Sequence, residues 1–210
     1  MPDVTALVVH YQDPAVILGC SQRPDDGMRQ RADENGLMLL RRRAGGGAVL
    51  AEKALLSISL LFPPAHRLAQ LDSIDGYSVL GEAWVHSLHN LGITCRLPTV
   101  EEIDASKSHA KARSIDWACY GALGHGEVIS DDGRKLVGVA QIRTRYCVAM
   151  VAGLQLSPVD WSVLCRVFGM PTTQAVSLEA VNTDALSLGV ELGDEAIEPL
   201  LEQLSIACDG

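Results

Sequence analysis

The stretch Leu39-Leu40-Arg41-Arg42-Arg43-Ala44-Gly45-Gly46-Gly47-Ala48-Val49-Leu50 limits the fold of this chain more than any other. A short apolar run delivers three arginines, and three consecutive glycines follow within two residues. Glycine carries no Cβ, so its backbone reaches φ > 0 and approaches a ligand closely. Successive N–H groups in such a turn form a concavity for an anion or a polarised carbonyl. Arginines at its rim add planar forks suited to carboxylate or phosphate. The alternative for the stretch by itself is a solvated arginine-rich strand end followed by a flexible turn.

Composition narrows the setting. With 48% apolar and 20% charged residues over 210 positions, the chain can bury a core and is expected to form a single domain over residues 1–210, without an accessory C-terminal domain. It contains no apolar run long enough for a membrane span and no basic-then-apolar leader. Six cysteines at 20, 95, 119, 147, 165 and 208 lack CxxC spacing. They read as free thiols of a cytoplasmic protein rather than a disulfide framework or zinc site. A net charge of −9 argues against general nucleic-acid binding. Thirteen of the 17 Lys and Arg fall in 23–43, 107–113 and 134–145, whereas from residue 167 onward there are eight Asp and Glu and no basic residue. The pattern predicts a basic cleft on an acidic body.

In chain order, Val4–Val9, Val16–Leu18, Leu37–Arg43 and Leu55–Phe62 read as strands, with a polar loop over Gly19–Arg31. Val79–Leu91 has helical spacing through Leu80, Trp84 and Leu88, and Ile93–Leu97 reads as an edge strand. Glu101–Asp116 shows no period and is expected to be a mobile connector. Glu127–Ile129, Asp131-Asp132-Gly133 and Lys135–Ala140 predict a hairpin, and Arg143–Leu156 a further strand. Asp160 is placed to cap a helix with Trp161, Leu164, Cys165 and Phe168 on its apolar face; Asp194–Leu204 is a last amphipathic helix. Neighbouring strands with helices set aside predict an α+β fold with a mostly antiparallel sheet.

A second stretch, Gly133-Arg134-Lys135-Leu136-Val137-Gly138-Val139-Ala140-Gln141, completes a constellation with the first. Together RRRAGGGAV and GRKLVGVAQ resemble the lipoate–protein ligase and octanoyltransferase family, whose motifs are RRxSGGGAV and GxKxxGxAQ, with Ala15–Gln22 similar to the strand and turn before the first motif. Leu50, Ala51 and Glu52 stand where the family has an aromatic residue, His and Asp. The resemblance implies a biotin/lipoate ligase-like fold, related to class II aminoacyl-tRNA synthetases. It also implies an acyl-binding site built from Arg41, Arg42, Gly45, Gly46, Gly47, Ala48, Gly138, Ala140 and Gln141.

Lys135 in this motif is suited to aim its ammonium at an acyl oxygen where charge develops, and Gly138 and Ala140 to leave room for the acyl chain; the alternatives are a surface lysine and plain packing. Ala118-Cys119-Tyr120 is similar to the cysteine-aromatic pair of the octanoyltransferases and amidotransferases that form a thioester, which marks Cys119 as the nucleophile; the alternative is a structural thiol. Cys165, on an apolar helix face, reads as core, and Cys147 as mid-strand. His86 and His89 lack a third metal ligand, and His125 in its Gly-rich turn is either a proton carrier or an exposed turn residue.

The expected activity is transfer of an octanoyl or lipoyl group from an acyl donor such as acyl carrier protein. The acceptor is a lysine of a lipoyl-domain protein or of glycine-cleavage H protein. The transferase needs no cofactor and no metal, whereas an ATP-dependent lipoate ligase would use ATP and Mg2+. A non-catalytic acyl-binding paralogue is the third reading.

Overall fold

The computed structural model describes residues 4–209, so residues 1–3 and 210 of the expected domain lie outside it. Strands β1 (Thr5–His10), β5 (Leu55–Phe62), β6 (Cys95–Arg96), β7 (Val128–Ser130), β8 (Lys135–Arg143) and β9 (Val148–Gln155) form a six-stranded sheet in the order β1-β5-β9-β8-β7-β6. Every pairing in it is antiparallel. A smaller sheet, β3-β2-β4, joins β2 (Ala15–Leu18), β3 (Met38–Arg41) and β4 (Val49–Ala51), with β2 and β3 parallel.

The two-residue alternation of β5 sorts the layers. Leu56, Ile58, Leu60 and Phe62 enter one buried cluster with Leu80, Trp84 and Leu88 of α3 (Ser73–Asn90) and Leu200 and Leu204 of α7 (Ile197–Asp209). Leu55, the first residue of β5 and on its other face, enters a second cluster with Val16 and Leu18 of β2, Leu50 of β4, Trp161 and Leu164 of α5 (Trp161–Phe168) and Leu178 of α6 (Thr172–Val181). The large sheet therefore has helices on one face and the small sheet with α5 and α6 on the other. The space between the sheets holds the candidate site.

Three expectations need correction. Gly19–Arg31 is not all loop: α1 spans Asp26–Glu34, started by the Asp25 carboxylate accepting from Met28 N. The connector expected over 101–116 is helix α4 (Val100–Ala112), held by a capping box in which Thr99 and Glu102 bond each other's backbone amide. Both helices are polar on most sides, α1 burying Ala32 and α4 burying Ile103 and Ala110, so neither shows an apolar period. Finally, Cys147 is not mid-strand: β8 runs on to Arg143, and Thr144 N and Oγ1 bond Cys147 O to turn the chain into β9. A short helix, α2 (Arg67–Gln70), precedes α3, which starts six residues before the expected Val79.

The β7–β8 hairpin forms as expected, but Val128 pairs with Val137 while Ile129 pairs with Lys135. This bulge breaks strict alternation. Lys135 consequently points to the same side as Gly138, with its Cε 3.4 Å from where a Cβ on Gly138 would stand.

Candidate active site

An apolar cavity of about 190 Å³ lies between the sheets, walled by Ile17, Val49, Leu55, Val139, Ile142 and Val151. Its floor follows from register: Gly138, Gly153 and Ser57 lie side by side across β8, β9 and β5, so the sheet there carries almost no side chain. Ser57 Oγ is bonded to the Tyr11 hydroxyl at 3.0 Å. A polar hollow of about 360 Å³ adjoins it, lined by Gly45, Gly46, Gly47, His125 and Gln141 among others. Cys119, Val139 and Ala140 line both spaces. Cys119 is half-buried and is the single cysteine in either lining.

The glycine triplet is held from behind. Arg42 donates from Nη2 to Gly45 O and Gly47 O, both at 2.8 Å, and from Nη1 to Ile17 O at 3.3 Å. Its guanidinium thus fastens the loop's carbonyls rather than presenting a free fork. Gly46 has φ +90°, and the amides of Gly45, Gly46 and Gly47 donate to no group among the described residues. Carbonyls tied on one side and unpaired amides beside the hollow form an anion-accepting nest. Gly47 is also required by close approach: a Cβ there would stand 2.4 Å from Trp117 O and 2.6 Å from Cys119 N. Ala48 completes the junction, accepting from Cys119 N at 2.8 Å and donating to Trp117 O at 2.9 Å.

Lys135 is no surface lysine. It is 1% exposed, and its Nζ donates to Glu127 Oε1 at 2.6 Å, Cys119 O at 2.8 Å and Ala122 O at 3.1 Å. The ammonium's three donors are used, and the Tyr120 ring lies 5.0 Å away. Glu127 in turn accepts from Gly124 N. This arrangement fixes the turn carrying Cys119 and puts a positive charge against its carbonyl. Gly138 is small beside Tyr120 and Lys135 as well as beside the cavity.

Gln141 lines the hollow with a buried Nε2 that has no partner among the described residues, while its Oε1 accepts from Arg143. Arg41 is exposed at the end of β3 and lines neither space. Cys165 is core, its thiol pushed up by burial, and burial pushes Cys95 to about 12. His89 Nε2 is bonded to Cys95 O, and His86 Nε2 to Asn90. Among the described residues no group of three His, Cys, Asp or Glu is placed to hold a metal, and no helix is long and apolar enough to cross a membrane.

Tyr120 stands in the sequence as the aromatic beside Cys119, but the role of its hydroxyl, and the segment that backs it, escape sequence reasoning. Tyr120 donates from its hydroxyl to Gly153 O at 2.6 Å, and burial raises its phenol well above the ordinary value. Asn182 Nδ2 donates to Tyr120 O at 2.9 Å, and Thr183 N to Lys135 O at 2.9 Å. Asn182 lies 62 residues from Tyr120, and no short pattern links the two.

This architecture is that of the lipoate–protein ligases. It matches a bipartite lipoate protein ligase from Thermoplasma acidophilum with a TM-score of 0.70 at 20% identity, over 97% of this chain and 71% of the other. The fit to lipoate-protein ligase A bound with ATP is equal in TM-score and identity, over 97% and 72%. Residues 2–193 match the family model of the lipoyl protein ligase A/B catalytic domain, and the chain belongs to that family. Curated relatives include octanoyltransferase LipM of Exiguobacterium sp., 29% identical over 76% of this chain and 56% of its own length. Octanoyltransferase LipM of Lysinibacillus sphaericus is 30% identical over 68% and 50%. The chain thus spans about half the length of these relatives.

Proposed function

We propose that the protein is an acyltransferase that moves an octanoyl or lipoyl group through a thioester on Cys119. The acceptor is a lysine of a lipoyl-domain protein or of glycine-cleavage H protein. The observation that carries this reading is the position of Cys119 where an apolar cavity meets a polar hollow. The cavity takes the hydrocarbon chain; burial of each methylene contributes about 0.8 kcal/mol. The hollow takes the reacting end and whatever delivers it.

In the first half-reaction the Cys119 thiolate adds to the carbonyl carbon of a carrier-bound acyl thioester. Negative charge gathers on the carbonyl oxygen, which the unpaired amides of Gly45–Gly47 stabilise. Lys135 contributes by exchanging its longest bond, to Ala122 O, for that oxygen. The carrier's sulfur leaves and takes up the proton lost by Cys119, so that one thioester replaces another. In the second half-reaction the acceptor's neutral amine attacks the acyl-enzyme, an amide bond forms, and Cys119 is released as thiol once the amine's proton is transferred. Neither step uses ATP or a metal ion. The Thermoplasma ligase was solved in a study naming its E2 lipoyl domain, which supports a lipoyl-domain acceptor here. A cytoplasmic setting suits such partners.

Mixing the protein with octanoyl-carrier protein, and separately with lipoate and ATP, tests the reading by intact mass and by pyrophosphate exchange. The transferase gives a hydroxylamine-labile acyl adduct in the first mixture and no exchange in the second. Exchange without the adduct would replace it with an ATP-dependent ligase. Acyl binding without either reaction would make the protein a binding module.

A further inference from the structure

The apolar cavity beside Cys119 has one polar end. Of the polar side chains that line it, Arg42 is turned to the carbonyls of Ile17, Gly45 and Gly47. The Tyr120 hydroxyl donates to Gly153 O and accepts from the Gln155 amide. Apart from Cys119 that leaves the hydroxyls of Tyr11 and Ser57, which bond each other at 3.0 Å. Ser57 is 6% exposed and Tyr11 is half-buried. Two hydroxyls hold two protons, and a single bond between them uses one, whichever way it runs. The other proton has no acceptor among the described residues. Register places this pair. Gly138, Gly153 and Ser57 stand opposite one another on β8, β9 and β5. Neighbouring strands lie about 4.8 Å apart, so Ser57 sits about 10 Å across the sheet from Gly138, on the same face. Cys119 belongs to the Gly138 end, because the Lys135 side chain that donates to Cys119 O passes 3.4 Å from where a Cβ on Gly138 would stand. Neither Tyr11 nor Ser57 borders the polar hollow. An eight-carbon chain, extended at the ~1.2 Å per bond of a zigzag backbone, reaches about 8 Å. An acyl group on Cys119 laid over the two glycines therefore brings its far end to the hydroxyl pair.

We infer that the Tyr11–Ser57 pair is a specificity determinant for the far end of the acyl chain, selecting the sulfur-bearing ring of a lipoyl group over the methyl end of an octanoyl group. The inference rests on the reading that this cavity takes the acyl chain, and it names which of the two acyl groups fits better. An octanoyl tail seals the spare proton from water and offers it no acceptor, and a buried donor left without a partner weakens binding of that ligand. The lipoyl ring places two sulfurs at the same distance along the chain. Sulfur is a weak acceptor and polarisable enough to pack against the Tyr11 ring. A site that presents a donor discriminates against the analogue that lacks the acceptor.

The test is calorimetric binding of free lipoate and free octanoate to the full chain, to Tyr11→Phe, to Ser57→Ala and to the double variant, with melting of the same samples. The parent should bind lipoate about tenfold more tightly than octanoate. Either hydroxyl by itself still holds one free proton, so each single variant should keep most of that ratio. The double variant has no proton left to satisfy and should bind the two acids within about threefold of each other, chiefly by gaining affinity for octanoate. A pair that only ties the segment between β1 and β2 to β5 behaves otherwise. That tie is already lost in each single variant, so Tm would fall there and the ratio would not move in any variant. An unchanged ratio in the double variant, or a parent that binds octanoate as tightly as lipoate, would overturn the inference and leave the acyl-transfer reading standing. A parent that binds neither acid would overturn the placing of the acyl chain in this cavity and the inference with it.

Discussion

Replacing Lys135 by Ala should destabilise the protein and stop transfer, and the two effects can be separated. The ammonium is 1% exposed and bonds one carboxylate and two backbone carbonyls. Removing it leaves Glu127, 5% exposed, as a buried carboxylate with only Gly124 N as a hydrogen-bond donor. Breaking a buried pair in this way costs about 3–5 kcal/mol, which for a chain of this size lowers Tm by about 6–20 °C. Exchanging both members for apolar groups of like shape removes the orphaned charge. Lys135→Met with Glu127→Leu should therefore recover most of the lost Tm. Acyl transfer should not return with it, because no ammonium is left to hold the Cys119 and Ala122 carbonyls or to turn towards the oxyanion; loss of one such donor lowers rate by about 10²–10³. The assay is thermal melting and acyl transfer on the same samples of both variants. A Lys135→Ala protein that melts within about 2 °C of the parent would refute the burial argument. A double variant that transfers normally would refute the chemical one.

Three further outcomes follow from the geometry. Gly47→Ala puts a Cβ 2.4 Å from Trp117 O, so the backbone at Cys119 must move; transfer should fall by about 10²-fold or more with a stability loss of about 1–3 kcal/mol, read by kinetics and melting together. The Arg96 bond holds Glu102 down to about 2, below its ordinary value of 4.5, so its stabilisation is full above about pH 4.5 and fades as pH falls towards 2. Because the pair is more than a third exposed, Glu102→Gln should cost no more than about 1 kcal/mol at pH 7 and nothing near pH 2, measured by denaturant titration. Iodoacetamide at pH 8 should modify exposed Cys20 and half-buried Cys119 and Cys147 in the folded protein, and spare Cys95 and Cys165, whose thiols are buried and shifted up; peptide mass mapping reads the pattern.

How much of this was legible in the sequence depends on where each signal resides. β5 and the Asp-Gly hairpin are local and apolar, and both form where the pattern puts them. α1 and α4 escaped because they bury so little, although their caps, Asp25 and the Thr99–Glu102 box, stood in plain view. The glycine triplet and Cys119 were found from motif pattern and do come together. The internal role of Arg42 was not, since it depends on carbonyls of a loop whose shape is set by φ at Gly46. The burial of Lys135 depends on a bulge and on carbonyls of residues 119 and 122, neither of which leaves a trace in residue type. Asn182 and Gln155 support the site from segments with no pattern of their own.

The most direct measurement is the intact mass of the protein after exposure to octanoyl-carrier protein, for the parent chain and for Cys119→Ser. The account predicts a single acyl adduct on the parent, released by hydroxylamine and mapped to the peptide containing Cys119, and none on the variant. An adduct that persists in Cys119→Ser, or that maps to another cysteine, would contradict it.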